Sequence, residues 1–243
     1  MSVDNKFDAM FSGIIGQDYE LLKLICPFVL EISRLVGLEV AEVCCESELA
    51  SVVELGGGTG ITTLAILSAT DRANLFSVDN EPTMQNQAKQ SLQEWVNAGR
   101  LEFCANDALG ALKSLDDDSV DIIASAYTLH NFEAEYRKRV IEESYRVLKT
   151  GGRFINGDRY ALDDIDQHTR NTQQEVASYF KALTDINRLD LLEHWIIHIF
   201  SDESENRIMR EAIALKQLSE AGFQKIQLKL RKDVNALVTA VKT

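Results

Sequence analysis

The sequence predicts an α/β fold: an open, mostly parallel, doubly wound sheet with helices on its faces. Three observations carry this expectation. Short apolar or β-branched runs at Val52–Leu55, Asn74–Asp79, Leu101–Ala105 and Val120–Ser125 alternate with longer stretches of helical periodicity. The first run ends in the glycine-rich turn Gly56-Gly57-Gly58-Thr59-Gly60, which leads directly into a helix from Thr62 to Ala69. The second ends on Asp79, 25 residues after Glu54, about the span of one strand-helix-strand unit.

Composition bounds the rest. At 243 residues the chain is one large domain or a domain with an inserted cap. A net charge of −13 works against a broad nucleic-acid footprint, because phosphate binding depends on Lys and Arg releasing counterions. The four cysteines, Cys26, Cys44, Cys45 and Cys104, show no metal-ligand spacing. With no secretory signal and no apolar run of membrane-spanning length, they read as idle thiols in a reducing cytoplasm, the expected location.

In chain order, Phe7, Met10, Phe11, Ile14 and Ile15 have helical spacing, interrupted around Gly13 and Gly16. Tyr19 to Val36 continues the pattern as an apolar stripe that includes Phe28 and Ile32, and Gly37 is expected to end it. Pro82 opens a helix, Thr83 to about Asn97, with Met84, Ala88 and Leu92 along one side. Asp107 reads as the N-cap of a helix from Ala108 to Lys113. Arg137 to Leu148 is amphipathic, and Gly151-Gly152 reads as its stop before a fifth strand, Arg153 to Ile155.

The glycine turn is not a phosphate cradle. A Walker loop counted from Gly56 needs its second glycine where Ile61 stands, and a dinucleotide fingerprint needs one at Ile61 or Thr63. What remains, acid-x-Gly-x-Gly-x-Gly from Glu54 to Gly60, resembles motif I of the seven-stranded (class I) S-adenosylmethionine-dependent methyltransferases. Ala126 to Phe132 falls at that family's motif IV. Arg146-Val147-Leu148-Lys149-Thr150-Gly151-Gly152 is similar to its Arg-Val-Leu-Lys-Pro-Gly-Gly run, with Thr150 replacing the proline. The resemblance covers Val52 to about Ile155. It implies a seven-stranded sheet closed by an antiparallel hairpin, here Phe223–Leu230 and Asn235–Val241 around the Arg231-Lys232-Asp233 turn. It also implies S-adenosylmethionine as cofactor. Glu54 and the backbone around Gly56 would meet its methionine amino group, Asp79 its ribose hydroxyls, and Asp107 and Ala108 its adenine, with Gly58, Gly60 and Asn80 in the same cofactor-binding set. Ser125 and Tyr19 complete the expected cofactor set, Tyr19 from an N-terminal segment folded over the pocket.

The expected layout is a single domain: an N-terminal helical segment (1–50), a cofactor-binding core (51–159), a helical substrate cap between strands five and six (160–215), and a closing helix and hairpin (216–243). The cap carries His168, His194, Trp195 and His198. His194 and His198 are four apart, a spacing that can hold a metal, but the zincin pattern is absent and no third ligand follows, so no metal is expected. The implied reaction is in-line methyl transfer to a small-molecule acceptor, with His130 and Tyr127, just past strand four, as the candidate catalytic groups. No DNA or membrane partner is expected, and a homodimer is compatible with the sequence. Two alternatives stand beside this reading. Phe7-Asp8 and Tyr19 also look like the opening of carboxy-S-adenosylmethionine synthases, which would need a cap arginine such as Arg170, Arg188 or Arg207 facing the cofactor. The other is a non-catalytic module that keeps the cofactor.

Overall fold

The structure, a computed structural model, describes residues 24, 26–45 and 49–243. Phe7, Asp8 and Tyr19 lie outside the described residues. Seven strands form one sheet: β1 Ala50–Leu55, β2 Ala73–Val78, β3 Leu101–Cys104, β4 Val120–Ala126, β5 Leu148–Arg159, β6 Gln224–Lys232 and β7 Asn235–Val241. Their spatial order is β3-β2-β1-β4-β5-β7-β6. The first five run parallel, and β7 lies antiparallel between β5 and β6. The chain therefore winds outward from β1 to β3 and then returns to β4 on the other side of β1. That reversal opens a crevice at the carboxyl ends of β1 and β4, where Leu55 stands in register with Ser125.

Each face of the sheet is covered by its own core. On one face lie α1 (Pro27–Cys44) and α2 (Ile61–Ala69). Every residue of α2 from Ile61 to Leu67 is buried, as expected for a helix sandwiched between sheet and helix. The other face is covered by α5 (Ala108–Lys113), α6 (Ala134–Val147) and α9 (Glu211–Ala221). Between β2 and β3 run α3 (Pro82–Ser91) and α4 (Gln93–Asn97). The two helices expected after β5 are α7 (Ile165–Asp185) and α8 (Leu189–Asp202). They share a small core of Tyr179, Leu183, Leu192 and Ile199, against which Trp195 and Cys26 rest. Among the described residues no helix is long and apolar enough to cross a membrane.

Three expectations about helix ends are corrected. Gly37 does not stop α1, which continues to Cys44 with Ile32, Val36, Val40 and Cys44 buried. A Cβ on Gly37 would lie 2.6 Å from the Ala65 carbonyl oxygen, so the glycine lets α1 approach α2. The helix expected from Thr83 to Asn97 breaks at Leu92, which is fully buried and lies close to Gly60. Gly151-Gly152 is not a helix stop either. α6 ends at Val147, Leu148 already pairs with Val120, and both glycines fall inside β5, where Gly151 N–H donates to the Lys242 carbonyl. Apolar burial of Leu148 decides that boundary before the glycines are reached.

Candidate active site

The glycine turn is fixed mostly from below. Gly56 and Gly57 both donate to the Val78 carbonyl (2.8 and 3.1 Å), tying the end of β1 to β2. Gly56 has φ +73°, and a Cβ there would sit 2.1 Å from Thr128 Oγ1. A Cβ on Gly57 would sit 2.1 Å from Ser77 Oγ. Gly60, φ +94°, precedes α2 and faces Leu92 and Ala88. Gly58, φ +53°, has nothing within 4 Å of its Cβ position. Packing thus requires glycine at Gly56, Gly57 and Gly60, while Gly58 opens onto free space at the strand ends.

Three acids ring this opening at the ends of β1, β2 and β3. Glu54 is completely buried. Its Oε2 accepts from Thr63 Oγ1 and Ser77 Oγ, each at 2.6 Å, while Oε1 is buried with no partner. Burial pushes its carboxyl up to about 7, against the pull of the Ser77 and Thr63 hydroxyls. Half-buried Asp79 accepts from Gly58 N–H through Oδ2 and from Glu81 N–H through Oδ1, each at 2.8 Å. Its neighbour Asn80 is exposed. Exposed Asp107 is indeed the N-cap of α5, accepting from Gly110 N–H, and Ala108 behind it is buried. Asp107 Oδ1 also accepts from Tyr136 Oη at 2.6 Å. That hydrogen bond, with those from backbone amides, holds the Asp107 carboxyl below its ordinary pKa.

Across the crevice, β4 delivers Ser125, Tyr127 and His130. Ser125 is fully buried and its hydroxyl donates to Asn156 Oδ1 (2.6 Å), so its proton is already used inside the sheet. Tyr127 has φ +49°, a strained turn for a bulky residue, and its hydroxyl donates to Asn235 Oδ1 (2.7 Å). Burial raises the phenol well above its ordinary pKa, so it remains a neutral donor. His130 is buried, and its Nδ1 lies 2.6 Å from Asp158 Oδ1. An ionised carboxylate only accepts, so Nδ1 carries the proton and Nε2 is the free nitrogen. The loop holding His130 is clamped by two arginines. Buried Arg137 donates to the carbonyls of Leu129, Phe132 and Arg207, and Arg207 donates to the Asn131 carbonyl. Thr128 Oγ1, which donates toward the Leu55 carbonyl, links this loop to β1.

The cap supplies what faces His130. From α8, Asp202 Oδ2 lies 3.7 Å from His130 Nε2 and 3.6 Å from His198 Nε2. Burial holds the His198 imidazole below its ordinary pKa, against the pull of Asp202. His194 is exposed and stacks on His198, whose Nε2 faces Asp202. Arg159, next to Asp158 on β5, is gripped by Glu175 through two bonds of 2.6 and 3.0 Å. Of the arginines weighed from sequence, Arg188 pairs with Asp190, Arg170 donates to Gln167, and Arg207 serves the loop.

Comparison with known proteins agrees with this layout. Residues 52–152 match the protein family described as Methyltransferase domain. That match spans less than half of the chain, the stretch that carries the glycine turn, Asp79, Asp107 and His130. The chain is 26% identical over 181 residues to the carboxy-S-adenosyl-L-methionine synthase of Chromohalobacter salexigens, covering 73% of this chain and 63% of that protein. It is 34% identical over 130 residues to the uncharacterized methyltransferase YcgJ of Bacillus subtilis, covering 53% of this chain and 48% of that protein. The chain thus spans less than two thirds of the length of either relative. Among solved structures, it is similar in fold to an O-methyltransferase family protein from Burkholderia thailandensis. That similarity has a TM-score of 0.63 at 16% identity over 99% of this chain and 60% of the other.

The residues present fit S-adenosylmethionine, the cofactor that the resemblance of the glycine turn implies. The orphaned Glu54 Oε1 is a buried acceptor suited to an ammonium, Gly58 leaves room for a ligand beside the backbone, and Asp79 and Asp107 offer carboxylates to hydroxyls and an amine. Sequence reading missed Ser77, Thr63, Tyr136, Asp158 and Arg159. Each acts through a partner distant in sequence, so periodicity and spacing carry no signal for it.

Proposed function

We propose that this methyltransferase domain transfers the methyl group of S-adenosylmethionine to a small-molecule acceptor. The observation that carries this reading is the ring formed by Glu54 Oε1, Gly58, Asp79 and Asp107 at the ends of adjacent strands, opposite the loop bearing Tyr127 and His130. In this reading Glu54 takes the methionine ammonium, Asp79 the ribose hydroxyls, and Asp107 the adenine amine. Asn80 and the Ala108 amide flank them, while Tyr19 and Ser125 remain expectations of the resemblance.

When bound, the cofactor supplies a methyl group already activated on a sulfonium, so the protein's task is alignment. Orienting two reactants supplies about 7–11 kcal/mol through effective molarity. Tyr127, neutral and tied to Asn235, is suited to positioning the acceptor. His130, with Asp158 behind Nδ1, can receive an acceptor proton at Nε2, worth about 10²–10⁴-fold where the acceptor needs it. Acids outnumber bases 38 to 25, which favours a small acceptor over a nucleic acid.

The test is to incubate the full chain with methyl-labelled S-adenosylmethionine and a cell extract separated into small-molecule, nucleic-acid and protein fractions. Label is expected in the small-molecule fraction. Label confined to nucleic acid or protein would overturn the acceptor class. The similarity to carboxy-S-adenosyl-L-methionine synthase supports a second reading, chemistry on a carboxylated cofactor.

A further inference from the structure

His130, His198 and Asp202 bring three ligand atoms within 4.8 Å of one another, two of the residues buried and one half-buried. The two N···O separations, 3.7 and 3.6 Å, are too long for hydrogen bonds. They are close to the spacing of two ligand atoms on one tetrahedral ion, about 3.4 Å for bonds near 2.1 Å. Asp158 behind His130 is the outer carboxylate that fixes the tautomer of metal-bound histidines and leaves Nε2 aimed at Asp202.

The charges around the trio favour a cation. Glu175, Asp202 and Glu203 gather about the guanidinium of Arg159, which lies 3.7 Å from Asp202 and Glu203 but is engaged by Glu175. Asp158, bonded to His130, is the acid that faces Arg137. His168, on the far side, is bonded to Glu203. With neutral imidazoles, negative charge is in excess in a largely buried setting, where unpaired charge is costly. A small cavity whose polar lining is His130, Arg159, His168, Asp202 and Glu203 adjoins the trio.

We propose that His130, His198 and Asp202 bind one divalent first-row transition-metal ion, with a coordination position open to an oxygen ligand in that cavity. Two histidines and one carboxylate with open positions form a ligand set that such ions accept. When the ion is bound, His130 Nε2 is a ligand and activation of an acceptor oxygen passes from the imidazole to the metal. The site shares His130 with the methyl-transfer reading, but ion binding needs no cofactor, so the two can be tested separately.

The experiment is titration of the chelator-stripped full chain with Co²⁺ alone, without S-adenosylmethionine, read by visible absorption and calorimetry. We expect one equivalent bound with ligand-field bands, displaced by Zn²⁺. His198→Ala and Asp202→Asn should each weaken binding by about 10–100-fold, while His194→Ala, outside the trio, should leave it unchanged. Thermal melts identify any variant that fails to fold. Absence of stoichiometric Co²⁺ binding by the parent overturns the proposal whatever the variants do. So does undiminished binding in a folded His198→Ala or Asp202→Asn protein.

Discussion

Glu54→Gln should flatten a pH dependence of cofactor binding that the parent protein shows. The Glu54 carboxyl is raised from 4.5 to about 7 chiefly by burial, so across neutral pH it passes from neutral acid to carboxylate. A methionine ammonium prefers the carboxylate, and affinity is expected to rise with pH through about 7 in the parent but not in the variant. Above that pH the variant should bind roughly ten- to hundredfold more weakly, as expected for loss of a charged hydrogen bond of about 1.5–3 kcal/mol. The stability of the free protein runs the other way. A carboxyl whose folded pKa is raised binds more protons folded than unfolded, so its contribution is complete below 4.5 and is lost as pH climbs through about 7. That loss is on the order of 3 kcal/mol. Melting curves with and without S-adenosylhomocysteine from about pH 5 to about pH 8 check both signs. The ligand-induced rise in Tm should grow with pH only where Glu54 is present. A parent protein whose ligand-induced shift is flat across that range would remove Glu54 from the ammonium site.

Asp79→Ala is expected to weaken cofactor binding by a comparable factor for two reasons. It removes the carboxylate at the end of β2, a charge-assisted acceptor worth roughly 1.5–3 kcal/mol to a ribose hydroxyl pair. It also releases Gly58 N–H and Glu81 N–H, which that carboxylate now holds at 2.8 Å each, so the glycine turn keeps only its Gly56 and Gly57 ties to the Val78 carbonyl. Asp79→Asn should retain one acceptor oxygen and fall between parent and alanine variant. Calorimetric titration with S-adenosylhomocysteine measures the series. Equal affinity in parent and Asp79→Ala would refute the placement of the ribose.

What could be read from sequence is what local chemistry determines. The β-branched run before Gly56, the acid at Glu54, the spacing to Asp79 and the cap at Asp107 each sit where strand periodicity and turn chemistry put them. Glycine was ambiguous because its two uses look alike in sequence. Gly222, φ +108°, ends α9 as a left-handed cap, whereas Gly37 lies mid-helix against the Ala65 carbonyl. The network around His130 was illegible for a different reason. Asp158 on β5 and Asp202 on α8 reach it only once the sheet and the following helices are in place, and the i, i+4 spacing of His194 and His198 carries no sign of either acid.

The measurement that bears most directly on the central claim is native mass spectrometry of the full chain. The spectrum would be taken after incubation with saturating S-adenosylmethionine or S-adenosylhomocysteine, followed by identification of the molecule released on denaturation. One S-adenosylmethionine or S-adenosylhomocysteine per chain, lost in Asp79→Ala at the same concentration, is the predicted result. A parent chain that remains bare, or one that releases only a carboxylated cofactor, would contradict the methyl-donor account.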